Sequence, residues 1–253
     1  MTITDREPTT ESRHRLDGRI AIVTGGGSGL GAALMAVLSE AGATAVGVDV
    51  REDVVTAVAD DVRASGGRAV AEVCDVGDHA DATRLAERVV ERFGTVDILI
   101  NSAGTDITAP FHEIEAERWN RVIDVNLVGP ANMIRAVLPA MLERGQGHIV
   151  NIASTASKRA WTEASAYHAS KWGLLGLSHA LHAELRRVGI GVTAVIAGGM
   201  RTPFILDRFP DLDVAILQEP RVVAETIRDL LCVGEGSVVA EATILPFREQ
   251  SWP

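Results

Sequence analysis

Three features of the sequence predict an α/β fold, a doubly wound parallel sheet of seven strands flanked by helices on both faces. Short apolar runs alternate with longer amphipathic segments along the chain, the pattern of strands joined by crossover helices. The 253 residues contain no Pro/Ser-rich or low-complexity linker and no repeat at solenoid periods, so a single domain over residues 16–253 is expected. A glycine-rich turn follows the first apolar run and opens the first amphipathic segment directly, as a strand-to-helix junction of such a sheet requires.

The strands are expected at residues 19–24, 43–49, 68–74, 96–101, 147–153, 190–197 and 237–245. Their centres are short apolar strings such as Ile20-Ala21-Ile22-Val23 and Ile98-Leu99-Ile100. Between them, helices are expected at 28–41, 52–65, 78–93, 116–143, 164–188 and 220–232. The fourth carries Ile134, Val137, Leu138 and Met141, and the fifth Leu174, Leu177, Leu181 and Leu185, each at the spacing of one helix face.

Composition narrows the function. Hydrophobic residues make up 47% of the chain and the formal net charge is −10, which excludes a nucleic-acid partner in the absence of a basic stripe. Arg186-Arg187 is a short cluster that reads as a solvated helix end. Cys74 and Cys232 follow no metal-ligand spacing and form no disulfide framework, so no metal site is expected and a reducing compartment fits. Residues 1–15 are polar and read as a frayed leader without an apolar targeting region. With no apolar run approaching ~18 residues, the protein is expected to be cytoplasmic and off the membrane.

The turn Thr24-Gly25-Gly26-Gly27-Ser28-Gly29-Leu30-Gly31 can cradle a phosphate. Glycines let the backbone approach closely, and the free N–H groups of the helix start attract negative charge. A tight connection alone would use the same glycines. Asp49 ends the second strand 18 residues after Gly31, where a carboxylate accepts hydrogen bonds from a ribose 2′-hydroxyl and repels a 2′-phosphate. That points to NAD, although Asp49 could equally cap the next helix, and Arg51 two residues on leaves NADP open.

Tyr167 and Lys171 stand four apart, with Ser154 thirteen residues upstream of the tyrosine. Positions i and i+4 share a helix face, so phenol and ammonium are neighbours. Holding a phenol of pKa ~10 as phenolate at pH 7 costs about 4 kcal/mol. An adjacent cation lowers that cost and moves the group toward general acid/base use. Tyr167 is the sole tyrosine of the chain.

These residues together resemble the short-chain dehydrogenase/reductases, over a stretch running from Leu16 to about Thr202. The family's glycine motif matches Thr24, Gly25, Gly29 and Gly31; its Asp-Val matches Asp75 and Val76; its Asn-x-Ala-Gly matches Asn101, Ala103 and Gly104. The resemblance implies a Rossmann-like domain and an NAD(P)-dependent oxidoreductase interconverting a secondary alcohol and a ketone, with Asn126, Ser154, Tyr167 and Lys171 as the catalytic tetrad. It implies a dinucleotide held by Gly25, Gly27, Ser28, Gly29, Leu30 and Gly31, by Asp49 and Val50, by Asp75 and Val76, and by Asn101, Ala103 and Gly104. Tyr167, Lys171, Ala197, Gly198 and Thr202 would hold its nicotinamide end, with Ile196 as a backbone contact. By the same analogy Tyr167 exchanges the substrate proton, Ser154 bonds the same oxygen, Lys171 also binds the nicotinamide ribose, and Asn126 relays protons through water.

The chain departs from the family pattern at three places. Ser102 replaces a second Asn, and Ala197-Gly198-Gly199 replaces the usual Pro-Gly, so a looser backbone is expected beside the nicotinamide. The substrate-covering segment from Pro203 to about Glu219 is short, and the Asp-Gly-Gly ending is missing. The pocket wall is expected to include Asp106, Ile107, Trp161, Thr162, Glu163, His168, Met200 and Phe204, with carboxylates that disfavour anionic substrates and suit a polyol, sugar or amine-bearing alcohol. His168 is expected to face the surface or an interface. The resemblance implies a homodimer or homotetramer. A catalytically weak dinucleotide-binding regulator, or a subunit of a hetero-oligomer, is the alternative.

Overall fold

The computed structural model describes residues 15–234 and 236–248, so nearly all of the expected leader lies outside the described residues. Its elements run β1 (Ile20–Thr24), α1 (Gly29–Glu40), β2 (Thr44–Asp49), α2 (Glu52–Ala64), β3 (Arg68–Val73), α3 (His79–Phe93) and β4 (Ile98–Asn101). They continue through α4 (Ala116–Ile123), α5 (Gly129–Arg144), β5 (Gly147–Ser154), α6 (Ser165–Leu185), β6 (Ile190–Ala197), α7 (Pro203–Leu206), α8 (Pro220–Leu231) and β7 (Glu241–Ile244). The strands form one parallel sheet in the order β3-β2-β1-β4-β5-β6-β7. The order reverses between β1 and β4, and a crevice opens at the carboxyl ends of the strands there.

Alternation along β1 divides the core between the two faces. Ala21 and Val23 pack in one cluster with Leu34 and Leu38 of α1 and Ile227 of α8. Ile20 and Ile22 pack in the other, with Leu85 and Val89 of α3 and Met133, Val137 and Met141 of α5. Both faces are therefore covered, which is why the strands read as nearly continuous apolar runs. Local chemistry sets the helix ends: Asp78 caps α3 by accepting from the Asp81 N–H, and Gly94 ends it at φ 79°.

Two elements differ from expectation. The helix expected at 116–143 is broken by a π-helical stretch at Asp124–Val128, where the Asn126 side chain grips the backbone of Thr105 instead of solvent. The whole run Ala116–Arg144 holds an 18-residue window of mean hydropathy 1.3, long and apolar enough to cross a membrane by composition, contrary to the expectation of no such run. Half of that window is buried within the protein, and its apolar side chains serve the core against α3 and the sheet. The last strand begins at Glu241, later than expected, because residues 239 and 240 meet β6 only through the bonds Thr193 Oγ1 to Val239 O and Ala194 N to Ala240 O.

Candidate active site

The crevice is a cleft of about 1170 Å³ that runs from the glycine turn and the ends of β2 and β3, past β4 and β5, to the segment after β6. At one end the turn between β1 and α1 leaves no room for side chains. A Cβ on Gly31 would lie 1.9 Å from the Gly25 carbonyl oxygen, and one on Gly25 would lie 2.9 Å from the Ala103 Cα. Thr24 Oγ1 accepts from the N–H groups of Ser102 and Ala103, at 3.0 Å each, and ties this turn to the loop after β4. Ser28 is the N-cap of α1 but makes no side-chain cap bond, and the first turn of α1 holds no acidic residue. The N-terminal N–H groups of α1 thus face the cleft uncompensated, which suits a pyrophosphate.

Asp49 closes this end. Its carboxylate accepts from the Gly27 N–H at 3.3 Å and from the Arg51 N–H at 3.1 Å, with the Arg51 guanidinium 3.6 Å away. Further along, Asp75 forms a bidentate pair with Arg121 of α4, at 2.9 and 3.1 Å, and accepts from the Gly77 N–H. Hydrogen bonding to Arg121 and Gly77 outweighs desolvation and holds the Asp75 pKa below the ordinary carboxylate value. Arg121 carries no motif, so sequence reading passed over it.

Ser154, Tyr167 and Lys171 converge at the middle of the cleft. Ser154 ends β5, and its Oγ accepts from the Ala156 N–H at 3.1 Å. Its own hydroxyl proton faces the Tyr167 oxygen. The Lys171 ammonium lies 5.7 Å from the Tyr167 ring centroid and donates to the Ile152 carbonyl at 2.7 Å. Desolvation pushes the Tyr167 pKa up to about 12, while its hydrogen bond with Ser154 pulls it back only in part. Desolvation likewise brings Lys171 down to about 8. The expected depression of the phenol by its lysine neighbour is not seen: burial, reinforced by the Asp106 charge, keeps the phenol in its neutral form.

Three residues of the expected site stand behind the wall. Both Asn126 amide protons are committed, to Thr105 O at 2.8 Å and Ser170 Oγ at 3.1 Å, while its Oδ1 accepts from the Thr105 N–H. Asn101 is buried and donates to Asn151 Oδ1 at 2.8 Å, in a polar ladder that continues to Ser178. Gly27 touches the cleft only through its bond to Asp49. The other expected dinucleotide residues, Gly25, Ser28, Gly29, Leu30, Gly31, Val50, Val76, Ala103, Gly104, Ala197, Gly198 and Thr202, lie along the cleft. Ile196 is fully buried away from it.

The loop after β6 is pinned, not loose: Gly198 N donates to Ile244 O at 2.9 Å, and Gln218 N donates to Gly199 O at 3.1 Å. Asp106, Trp161, Thr162, Glu163, Met200 and Phe204 line the far end, whereas Ile107 and His168 do not. His168 lies beneath the loop before α6, with Nδ1 2.9 Å from Ala156 O and Nε2 accepting from the Trp161 N–H at 3.1 Å. It thereby shapes the wall from behind, half-buried and outside the cleft. Sequence reading also missed Arg208, which pairs with Asp106, because the segment after α7 has no motif to mark it.

A parallel sheet whose order reverses above a glycine turn, with a tyrosine, lysine and serine meeting in the same cleft, defines a dinucleotide-binding oxidoreductase. Residues 19–212 match the short-chain dehydrogenase family, and the chain belongs to it. Members of the family act on CH–OH groups with NAD(P) and small-molecule substrates, and this chain is an oxidoreductase of that kind. It is 38% identical to D-threitol dehydrogenase of Mycolicibacterium smegmatis over 190 residues, covering 75% of this chain and 73% of the relative. It is 42% identical to 2-dehydro-3-deoxy-L-rhamnonate dehydrogenase (NAD(+)) of Sphingomonas sp. over 202 residues, 79% of each chain. A solved structure of an actinorhodin polyketide ketoreductase variant with NADPH superimposes with a TM-score of 0.84 at 32% identity, covering 91% of this chain and 97% of that one.

Proposed function

We propose that the protein is an NAD-preferring dehydrogenase that interconverts a secondary alcohol and a ketone, with Tyr167 as the general acid/base. The observation that carries this reading is the convergence of Ser154, Tyr167 and Lys171 in the cleft that the glycine turn opens. A bound nicotinamide supplies the hydride acceptor in oxidation and the hydride donor in reduction. The uncapped start of α1 would hold its pyrophosphate, and the anchored Asp49 carboxylate would accept from the adenine-side ribose hydroxyls and repel a 2′-phosphate. The NAD(+) in the name of the Sphingomonas relative agrees with this preference.

In ketone reduction, the neutral phenol of Tyr167 gives its Oη proton to the carbonyl oxygen as the carbon receives hydride; alcohol oxidation runs the reverse from the phenolate, formed once the phenol proton has passed to solvent. Ser154, whose hydroxyl proton turns from the phenol to the substrate, donates to the same substrate oxygen and stabilises the alkoxide-like charge that develops there. Lys171 spends one ammonium proton on Ile152 O and keeps two for ribose hydroxyls. With both amide protons of Asn126 committed, a water relay at this residue would run through its backbone carbonyl. The half-exposed Trp172 on α6 and Leu142 on α5 support assembly into a homodimer or homotetramer.

The test pairs activity with binding. Tyr167→Phe should bind NADH with unchanged affinity in a tryptophan-fluorescence titration and lose about 10³-fold in turnover. Unchanged turnover would remove Tyr167 from the chemistry, and tighter binding of NADPH than NADH in the wild type would overturn the cofactor preference.

A further inference from the structure

The substrate end of the cleft contains a desolvated ion pair. Asp106, just after β4, is 7% exposed in its side chain and meets the Arg208 guanidinium from the segment after α7. Arg208 is fixed on two further sides: its Nε donates to Phe204 O at 2.7 Å, and its guanidinium lies 4.2 Å from the Phe204 ring centroid. Phe204 in turn packs at 5.8 Å against Tyr167. The pair is thus held one ring away from the reacting phenol, across the lips of the cleft.

A buried ion pair contributes little net stability, because desolvation offsets its attraction. This one retains unused bonding capacity. Asp106 Oδ1 accepts from the Ile107 N–H and Oδ2 from Arg208, which leaves a lone pair on each oxygen. No described residue accepts from the Arg208 Nη2 protons. The pair therefore offers acceptors and donors side by side with no net charge.

We propose that the Asp106–Arg208 pair recognises hydroxyls flanking the reacting carbinol, so that the substrate is a neutral polyhydroxy alcohol, or the corresponding ketose, in preference to a simple alcohol or an aldonic acid. A hydroxyl satisfies both members, donating to the carboxylate and accepting from the guanidinium. A carboxylate would face the Asp106 charge. A simple alcohol would leave the pair without partners, a mismatch that discriminates strongly in sites built for hydrogen bonding. This specificity rests on the hydride-transfer reading given above and names the substrate class for it.

The experiment measures kcat/KM with NAD for a matched four-carbon series, D-threitol, 2-butanol and D-threonate, in wild-type protein and in Arg208→Met and Asp106→Asn. Wild type should favour threitol over 2-butanol by about 100-fold and over threonate by about 10-fold. Arg208→Met should lower the threitol value by about 100-fold, mainly through KM, and leave 2-butanol within about threefold. Asp106→Asn should improve threonate relative to threitol, and NADH titrations should be unchanged in both variants. Equal wild-type values for threitol and 2-butanol, no turnover of threitol, or an equal loss on both alcohols in Arg208→Met would each overturn the proposal. The wild-type series decides it even where a variant does not fold. Failure of the protein to bind NADH would instead overturn the hydride-transfer reading, and this specificity with it.

Discussion

The two ends of the cleft are built from different materials. At the glycine turn the wall is backbone: N–H groups at the start of α1, carbonyls of Gly25, and the Cα of Ala103 within van der Waals reach of the turn. At the substrate end the wall is side chain, contributed by segments as distant as Asp106 and Arg208 and stacked through Phe204. A backbone wall cannot accept a Cβ, so it is restrictive in sequence and general in what it binds. A side-chain wall can change its chemistry by substitution without moving a strand, so specificity is free to vary there while the cofactor end stays constant.

The largest effect should come where the two ends meet, the about 10³-fold loss in Tyr167→Phe, which corresponds to about 4 kcal/mol of transition-state stabilisation. Next, Gly31→Ala tests whether the turn is as intolerant as its geometry implies. Its Cβ would overlap the Gly25 carbonyl at 1.9 Å, and a destabilisation of about 3 kcal/mol with loss of NADH binding is expected in chemical denaturation and fluorescence titration. Wild-type stability and affinity in that variant would show that the turn shifts freely, and the contrast between the two ends would fail.

At the amino end of β5, at the far end of the sheet from the cleft mouth, stands a half-buried base. His148 Nε2 lies 2.8 Å from Thr193 Oγ1, whose own proton goes to Val239 O, so the imidazole donates through Nε2. Desolvation brings its pKa down from 6.5 to about 4. Between those values the unfolded chain binds a proton that the folded protein does not, so stability falls as pH drops from 6.5 toward 4. The loss through this group amounts to about 3 kcal/mol at ~1.36 kcal/mol per unit. Urea unfolding across that range should show this slope in the wild type and lack it in His148→Gln; an identical slope would place the acid sensitivity elsewhere.

Smaller effects probe the cofactor end itself. Asp49→Asn keeps an acceptor for the Gly27 N–H but removes the charge, and should shift the NADH to NADPH affinity ratio toward NADPH by about tenfold, or about 1.4 kcal/mol. No shift would mean that Arg51 governs the ribose end. Arg121→Met breaks a half-exposed pair with Asp75 and should weaken NADH by less than about fivefold, since exposed pairs contribute at most about 1 kcal/mol. A larger loss would make the adenine end, too, a side-chain site.

Legibility followed the same division. The parallel sheet and its strands were readable from apolar runs and turns, because a strand covered on both faces must be apolar along its length. The placement of Gly25, Gly29, Gly31 and Asp49 along the cleft was readable because close backbone approach demands glycine at fixed spacing and Asp49 ends an apolar strand. The π-helical stretch around Asn126 left no trace in periodicity, since its five residues are too few to register in a pattern read over the whole helix. His168 was misplaced because its partners, Ala156 O and Trp161 N, are backbone atoms that no side-chain pattern reveals.

By itself, then, the sequence determined the fold class, the glycine turn, Asp49 at the end of β2 and the neighbouring Tyr167 and Lys171 on one helix, because each is dictated by the pattern within a strand, a turn or a helix. Tertiary structure alone decided the state of those groups and the character of the substrate end. Burial by the surrounding elements raises Tyr167 and lowers Lys171, against the effect expected from their proximity on α6. The closure of Asp106 against Arg208 joins positions 102 residues apart, and only the folded chain brings those two charges together at the cleft wall.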